Sequence, residues 1–157
     1  MNIICFHNPN EENGYLSNWY PSLFKVGNFE FSSMEQFMMY RKAGFFCDNA
    51  IAKKILSTDD VAEIKSLGRE VSNYDEHVWN GVRQIVVYKG LLAKFSQNRD
   101  LKDRLKDTGG AVLAECAVKD LIWGTGLSMN DPNRFDMSKW RGQNLLGYTL
   151  MMVRERL

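Results

Sequence analysis

The chain has 157 residues, 45% of them hydrophobic and 25% charged, which suits a single domain, 1–157, with a core of its own. Twenty Lys and Arg against nineteen Asp and Glu leave a formal charge of +1, so no global field points to nucleic acid or an anionic membrane surface. The opening from Met1 to His7 lacks the regions of a signal peptide, and no stretch approaches eighteen apolar residues, so a soluble, cytoplasmic protein is expected.

Ile3 to Phe6 is a short apolar run. Gly14 to Pro21 is aromatic and rich in turn formers, and reads as a packed loop. Phe24 to Phe31 alternates around Gly27-Asn28, a pair expected to supply the positive φ angles of a tight hairpin, and with Ile3–Phe6 it suggests a small N-terminal sheet. Ser33 followed by Gln36 matches a capping box and predicts a helix from Met34 to Ala43, stopped by Gly44. Further helices are predicted from Asp48 to Leu56, from Asp59 to Leu67 with Gly68 as terminator, and from Asp75 to Ser96. In the last of these, Val78, Val82, Ile85, Val86 and Leu92 keep a helical spacing. Another short helix spans Arg99 to Lys106. Thr108-Gly109-Gly110 breaks the pattern, Ala111–Cys116 and Leu121–Trp123 look like strands, and Leu145–Arg156 returns to helical spacing. The sum is a mostly helical α+β domain without repeats.

Chemistry concentrates in two places. The block from Asp120 to Gly147 holds Gly124, Gly126, Gly142 and Gly147 beside Trp123 and Trp140, and each glycine costs backbone entropy while packing nothing. Small residues after Asp120 would let a ligand approach the backbone; the plainer reading of Asp120 is a turn acid. Gly142-Gln143-Asn144 precedes the last helix, whose free amides and dipole suit a phosphate; alternatively Asn144 is a cap and Gly147 allows close helix contact. Upstream, Glu35 and Lys42 are seven apart on one helix and share a face, with an acid at one end and an amine at the other. Both are equally explained as a dipole-stabilised acid and a solvated lysine. Arg69 could grip a phosphate or merely suit a helix end, and Trp79 could stack on a heterocycle or fill the core. Cys5, Cys47 and Cys116 are odd in number and widely spaced, unlike a zinc or redox motif, and read as reduced thiols. Carboxylates with arginine, tryptophan and a helix N-terminus suit hydrolysis of a glycosidic bond in a phosphorylated, ring-bearing substrate.

In order along the chain, these residues resemble the NADAR family of YbiA-like proteins. The matching segments are Leu16 to Pro21, Ser33-Met34-Glu35-Gln36 with Lys42, Gly68-Arg69, Tyr74-Asp75 with Trp79, Lys94 to Asn98, and Thr108-Gly109. Further on come Glu115 with Asp120-x-x-Trp123-Gly124-x-Gly126, then Trp140-x-Gly142-x-Asn144 through to Arg154. The match spans essentially the whole sequence. It implies a single compact YbiA-like domain, no metal or cofactor, and an N-glycosidase acting on early riboflavin-pathway intermediates or removing ADP-ribose from modified guanine. The expected partner is a small phosphoribosyl or ADP-ribosyl substrate, the alternative being ADP-ribosylated guanine in nucleic acid. A non-catalytic module binding ADP-ribose or a nucleotide is the alternative function. By motif position, the resemblance makes Glu35, Trp79 and Asp120 the leading active-site residues, with Asn18, Lys42, Arg69, Trp123, Gly124 and Asn144 around them; Glu35, Asp120 and Lys42 are expected to be catalytic and the others to bind substrate. Two departures bear on substrate choice: Gln36-Phe37-Met38-Met39 follows Glu35 where many members carry His and aromatic residues, and Cys116 to Lys119 replaces a small residue, Ser and Pro before the acid.

Overall fold

The computed structural model describes residues 1–157. Its strands are β1 (Ile3–Phe6), β2 (Phe24–Val26), β3 (Phe29–Phe31) and β4 (Val112–Glu115). Its helices are α1 (Met34–Phe45), α2 (Asn49–Leu56), α3 (Val61–Arg69), α4 (Glu76–Gln97), α5 (Arg99–Asp107) and α6 (Leu145–Arg156). The fold is therefore α+β and mostly helical, and no helix is long and apolar enough to cross a membrane. Two compact units are present, Met1–Tyr20 with Arg99–Leu157 and Pro21–Asn98. The expected single N-terminal sheet is instead two separate pairs, because β1 joins β4 in parallel while β2 and β3 form their own hairpin.

In the Pro21–Asn98 unit, the hairpin turns at Gly27, which alone carries the positive φ (60°), Asn28 not needing one. Phe24 and Phe31 face each other across it, and Phe37 of α1 closes a three-ring cluster with centroids 5.1 to 5.9 Å apart. Four helices begin where an acid or hydroxyl accepts from the first-turn amides: Ser33, Asp48, Asp60 and Asp75. Gly44 does not stop α1. The helix continues to Phe45, and Cys47 takes the left-handed conformation (φ 58°) that usually falls to glycine. Its N–H donates to Gly44 O at 3.1 Å and that of Asp48 to Ala43 O at 2.9 Å, the paired bonds of a Schellman motif. Helix α4 turns a different face inward from the one the apolar spacing predicts. Val78 and Ile85 are exposed, while Trp79, Arg83, Val86, Val87, Gly90, Leu91, Lys94 and Phe95 are buried. Gly90 belongs to that face because a Cβ there would meet the Phe37 ring.

In the other unit, β1 and β4 run from Ile3 opposite Val112 to Phe6 opposite Glu115. Cys5 and Cys116 lie in one buried cluster with Ala114, both as free thiols although the sequence separates them widely, and Cys116 Sγ donates to Ala114 O at 3.9 Å. Helix α6 packs on β4, and Gly147 allows this: a Cβ would collide with Leu113 O and the Asn144 side chain.

Candidate active site

The sharpest chemistry lies on α1. The Ser33 hydroxyl accepts the Gln36 N–H at 3.1 Å and fixes the first turn, placing Glu35 at the helix N-terminus, where the dipole favours a carboxylate, with only 5% of its surface exposed. Two turns later Lys42 is half-buried. Its Nζ donates to Gly68 O at 2.7 Å and stands 4.5 Å from the centroid of the Tyr74 ring. Burial pushes the Lys42 ammonium below its ordinary range; Glu35 opposes that shift and the Arg69 charge adds to it. Glu35, Lys42 and Arg69 thus share one electrostatic neighbourhood, as the seven-residue spacing suggested for the first two.

Gly68 is not a terminator but the penultimate residue of α3. A Cβ there would strike the Met39 side chain of α1, so the glycine lets α3 approach closely enough for its carbonyl to reach Lys42. Arg69 is exposed. Trp79 is 6% exposed and belongs to the buried face of α4, which leaves almost no ring to stack on a ligand. The aromatic surface beside Lys42 comes instead from Tyr74, 43% exposed, and Phe46, with ring centroids 5.4 Å apart.

The remaining expected residues lie in the other unit. Asn18 is 6% exposed, and its buried Oδ1 has no hydrogen-bond partner. Asp120 is half-buried, with Oδ1 accepting the N–H groups of Ile122 at 3.0 Å and Trp123 at 2.8 Å. That capped turn explains why Leu121–Trp123 is not a strand. Trp123 is half-buried and Gly124 buried. A Cβ on Gly124 would stand 3.0 Å from the carbonyl oxygens of Asp120 and Glu115, and one on Gly142 would collide with Gly124 O. What approaches these glycines is the chain itself, not a ligand.

The amides expected to be free for an anion are all committed. The N–H groups of Gly142, Gln143, Asn144, Leu145 and Leu146 donate to carbonyls of Thr125, Leu121, Gly124, Ile122 and Trp123, at 2.8 to 3.1 Å. Asn144 does not cap α6 through its side chain either. It adopts a left-handed conformation, fully buried, where Oδ1 accepts the Glu115 N–H at 3.0 Å and Nδ2 donates to Leu113 O at 2.8 Å, so that its amide pairs with β4. The proposed phosphate site at this helix end is therefore filled by backbone.

The NADAR domain model matches residues 5–157. The chain belongs to the NADAR family. It is 38% identical to N-glycosidase R617 of Acanthamoeba polyphaga mimivirus, over 97% of this chain and 94% of the relative. It is 34% identical to a riboflavin biosynthesis protein of Vibrio vulnificus, over 98% of this chain but 38% of that one. The NMR structure of Escherichia coli YbiA superposes with a TM-score of 0.81 at 28% identity, over 99% of this chain and 84% of the other.

Within this NADAR chain, Gln36, which follows Glu35 on α1, is spent on the fold. Its Nε2 donates to Ile55 O at 3.1 Å and Thr58 O at 2.9 Å, while Oε1 accepts the Ser32 N–H at 2.8 Å. Sequence reasoning gave no role to two buried cations on α4, Arg83 (9% exposed) and Lys94 (fully buried), although Lys94 opens one of the matching segments. Their burial was signalled by position: Arg83 follows Trp79 by four residues and Lys94 follows Gly90 by four, so both fall on the inward face.

Proposed function

We propose that the protein is a cytoplasmic N-glycosidase that hydrolyses the bond between a nitrogenous base and a phosphorylated ribose, with Glu35 and Lys42 of α1 as its principal reacting groups. The observation that carries this reading is the shared environment of a buried carboxylate and a half-buried lysine whose proton affinity is lowered by burial and by Arg69. Such pairs are typical of sites that move protons. The names of the relatives, N-glycosidases and a riboflavin biosynthesis protein, support the same bond class.

In the direct route, Glu35 serves as the acid or base. The bond from the anomeric carbon to the base nitrogen breaks, the base leaves with a proton, and water adds to the ribose carbon. Asp120 is kept as a further catalytic carboxylate, acting through Oδ2, since Oδ1 is held by the turn. The lowered proton affinity of Lys42 favours a second route. Its neutral amine attacks the anomeric carbon, the base leaves, the sugar opens to an imine, and water then releases the lysine. A module that merely binds ADP-ribose would not need this acid and amine pair.

The test is incubation with early riboflavin intermediates and with ADP-ribosylated guanosine, reading released base and sugar by mass spectrometry. Cleavage of at least one is expected, and loss of turnover with retained ligand binding in Glu35→Gln. Cleavage of neither would defeat the glycosidase reading. Borohydride added during turnover is expected to leave a sugar adduct on Lys42 if the imine forms; its absence would leave the direct route alone.

A further inference from the structure

Arg83 is an unusual charge to find inside a protein. It is 9% exposed, its Nε is enclosed and lacks a hydrogen-bond partner, and no carboxylate forms an ion pair with it. The bond that holds it is neutral, from Nη1 to Asn80 Oδ1 at 2.7 Å, one turn back on α4. A guanidinium withdrawn from water without a counter-charge is costly, and the cost is recovered only when an anion arrives. The Asn80 bond also fixes the fork. With Nη1 occupied, the Nε–Nη2 edge remains, the edge that meets two oxygens of a phosphate side by side. Nη2 makes no hydrogen bond within the chain and is not enclosed, so this edge has an open corner.

Its position within the Pro21–Asn98 unit adds the chemistry. The Arg83 charge is felt at the Tyr74 hydroxyl, and the Tyr74 ring lies under Lys42 Nζ at 4.5 Å. Tyr74 thus neighbours the amine of the proposed reacting pair and lies within the field of Arg83. We infer that Arg83 is a binding site for the phosphate of a phosphorylated sugar, in place of the helix end at Asn144, whose amides are all used. This rests on the ribosyl-phosphate reading of the site but is tested without turnover.

The probes are ribose 5-phosphate, inorganic phosphate and unphosphorylated ribose, titrated calorimetrically at fixed salt against the full chain, Arg83→Met and Arg83→Lys. Ribose 5-phosphate is expected to bind the unaltered chain, and Arg83→Met to weaken it by roughly 10- to 100-fold or more, 10- to 100-fold being the size of one lost bond to a charged group. Arg83→Lys should recover part of that loss, and ribose affinity should not change. The melting temperature of unliganded Arg83→Met should rise or hold, because an unpaired buried charge is removed; a merely structural arginine would lower it. The inference is overturned if the unaltered chain binds neither phosphate probe, if Arg83→Met binds ribose 5-phosphate as tightly, or if its melting temperature falls and ribose affinity falls with it. Phosphate binding through Arg83 without cleavage of any phosphoribosyl base would defeat the glycosidase reading alone. Equal cleavage by Arg83→Met and the unaltered chain would defeat the Arg83 site alone.

Discussion

Replacing Asn144 by alanine tests whether this residue holds the fold rather than the substrate. Three losses coincide. The Leu113 carbonyl and the Glu115 N–H lose their partners in β4, at about 1–3 kcal/mol each when buried. The residue must also keep φ near 49°, which costs a non-glycine residue without a local polar side chain about 1–2 kcal/mol. The total of about 3–8 kcal/mol is a large part of the 5–15 kcal/mol that ordinary domains possess. Asn144→Gly accepts the left-handed backbone and loses only the two bonds, about 2–6 kcal/mol. Urea unfolding followed by tryptophan fluorescence measures both, with the denaturant slope checked for constancy. A loss below about 1 kcal/mol for Asn144→Ala would refute the reasoning, as would Asn144→Gly proving the less stable of the two. The surviving folded fraction of Asn144→Gly should bind ribose 5-phosphate normally, since no anion is held there.

Lys94 is fully buried and its ammonium is pushed down from 10.5 to about 7, by burial. Between pH 7 and 10.5 the folded chain has given up a proton that the unfolded chain keeps, so stability should rise with pH across that window, by about 1.4 kcal/mol per unit, and level off at its lower value below it. Chemical denaturation at several pH values should show this rise, and Lys94→Met should flatten it; a flat profile in the unaltered chain would contradict the assignment. Cys47→Gly should raise stability by up to about 1 kcal/mol, because glycine adopts φ 58° without the Cβ penalty, and a drop in the urea midpoint would count against the Schellman assignment. Asp120→Asn retains Oδ1 as acceptor for the Ile122 and Trp123 amides, whereas Asp120→Ala loses about 1 kcal/mol or more of turn stability. If Asp120 also serves the reaction, Asp120→Asn should fold normally and turn over slowly; full activity would confine it to the turn.

Much of the helical skeleton was legible because its signals are local. Asp48, Asp60 and Asp75 mark their helices by accepting from amides two or three residues on, which sequence spacing alone displays. Gly44 misled for the complementary reason: a helix stops where tertiary packing lets it, and a strained Cys47 served instead. The inward face of α4 was hidden because it includes Arg83, Gly90 and Lys94, residues that a hydrophobic template rejects, and Gly90 is explained only by the Phe37 and Met34 side chains of α1. The glycine-rich block was rightly seen as costly, but its purpose lies in carbonyls brought close by folding, such as Gly124 O against Gly142. On α1 the seven-residue spacing of Glu35 and Lys42 was readable, whereas the Gly68 carbonyl that anchors the amine depends on the approach of α3.

The parallel pairing of Ile3 with Val112 has a consequence for how the chain acquires its structure. On a ribosome, β1 emerges ahead of all the helices yet has no partner until β4 follows them, after α5, and Asn144 cannot tie β4 until later still. Residues 21–98 are contiguous, so their helices and hairpin need no segment synthesised afterwards. A strand made before α1 to α5 is thus paired only after them, once the entropy of closing a long loop has been met. A chain halted before α6 would leave β1 and β4 without the amide pairing and packing that complete their unit, whereas the α1 pair of acid and amine would already have been made.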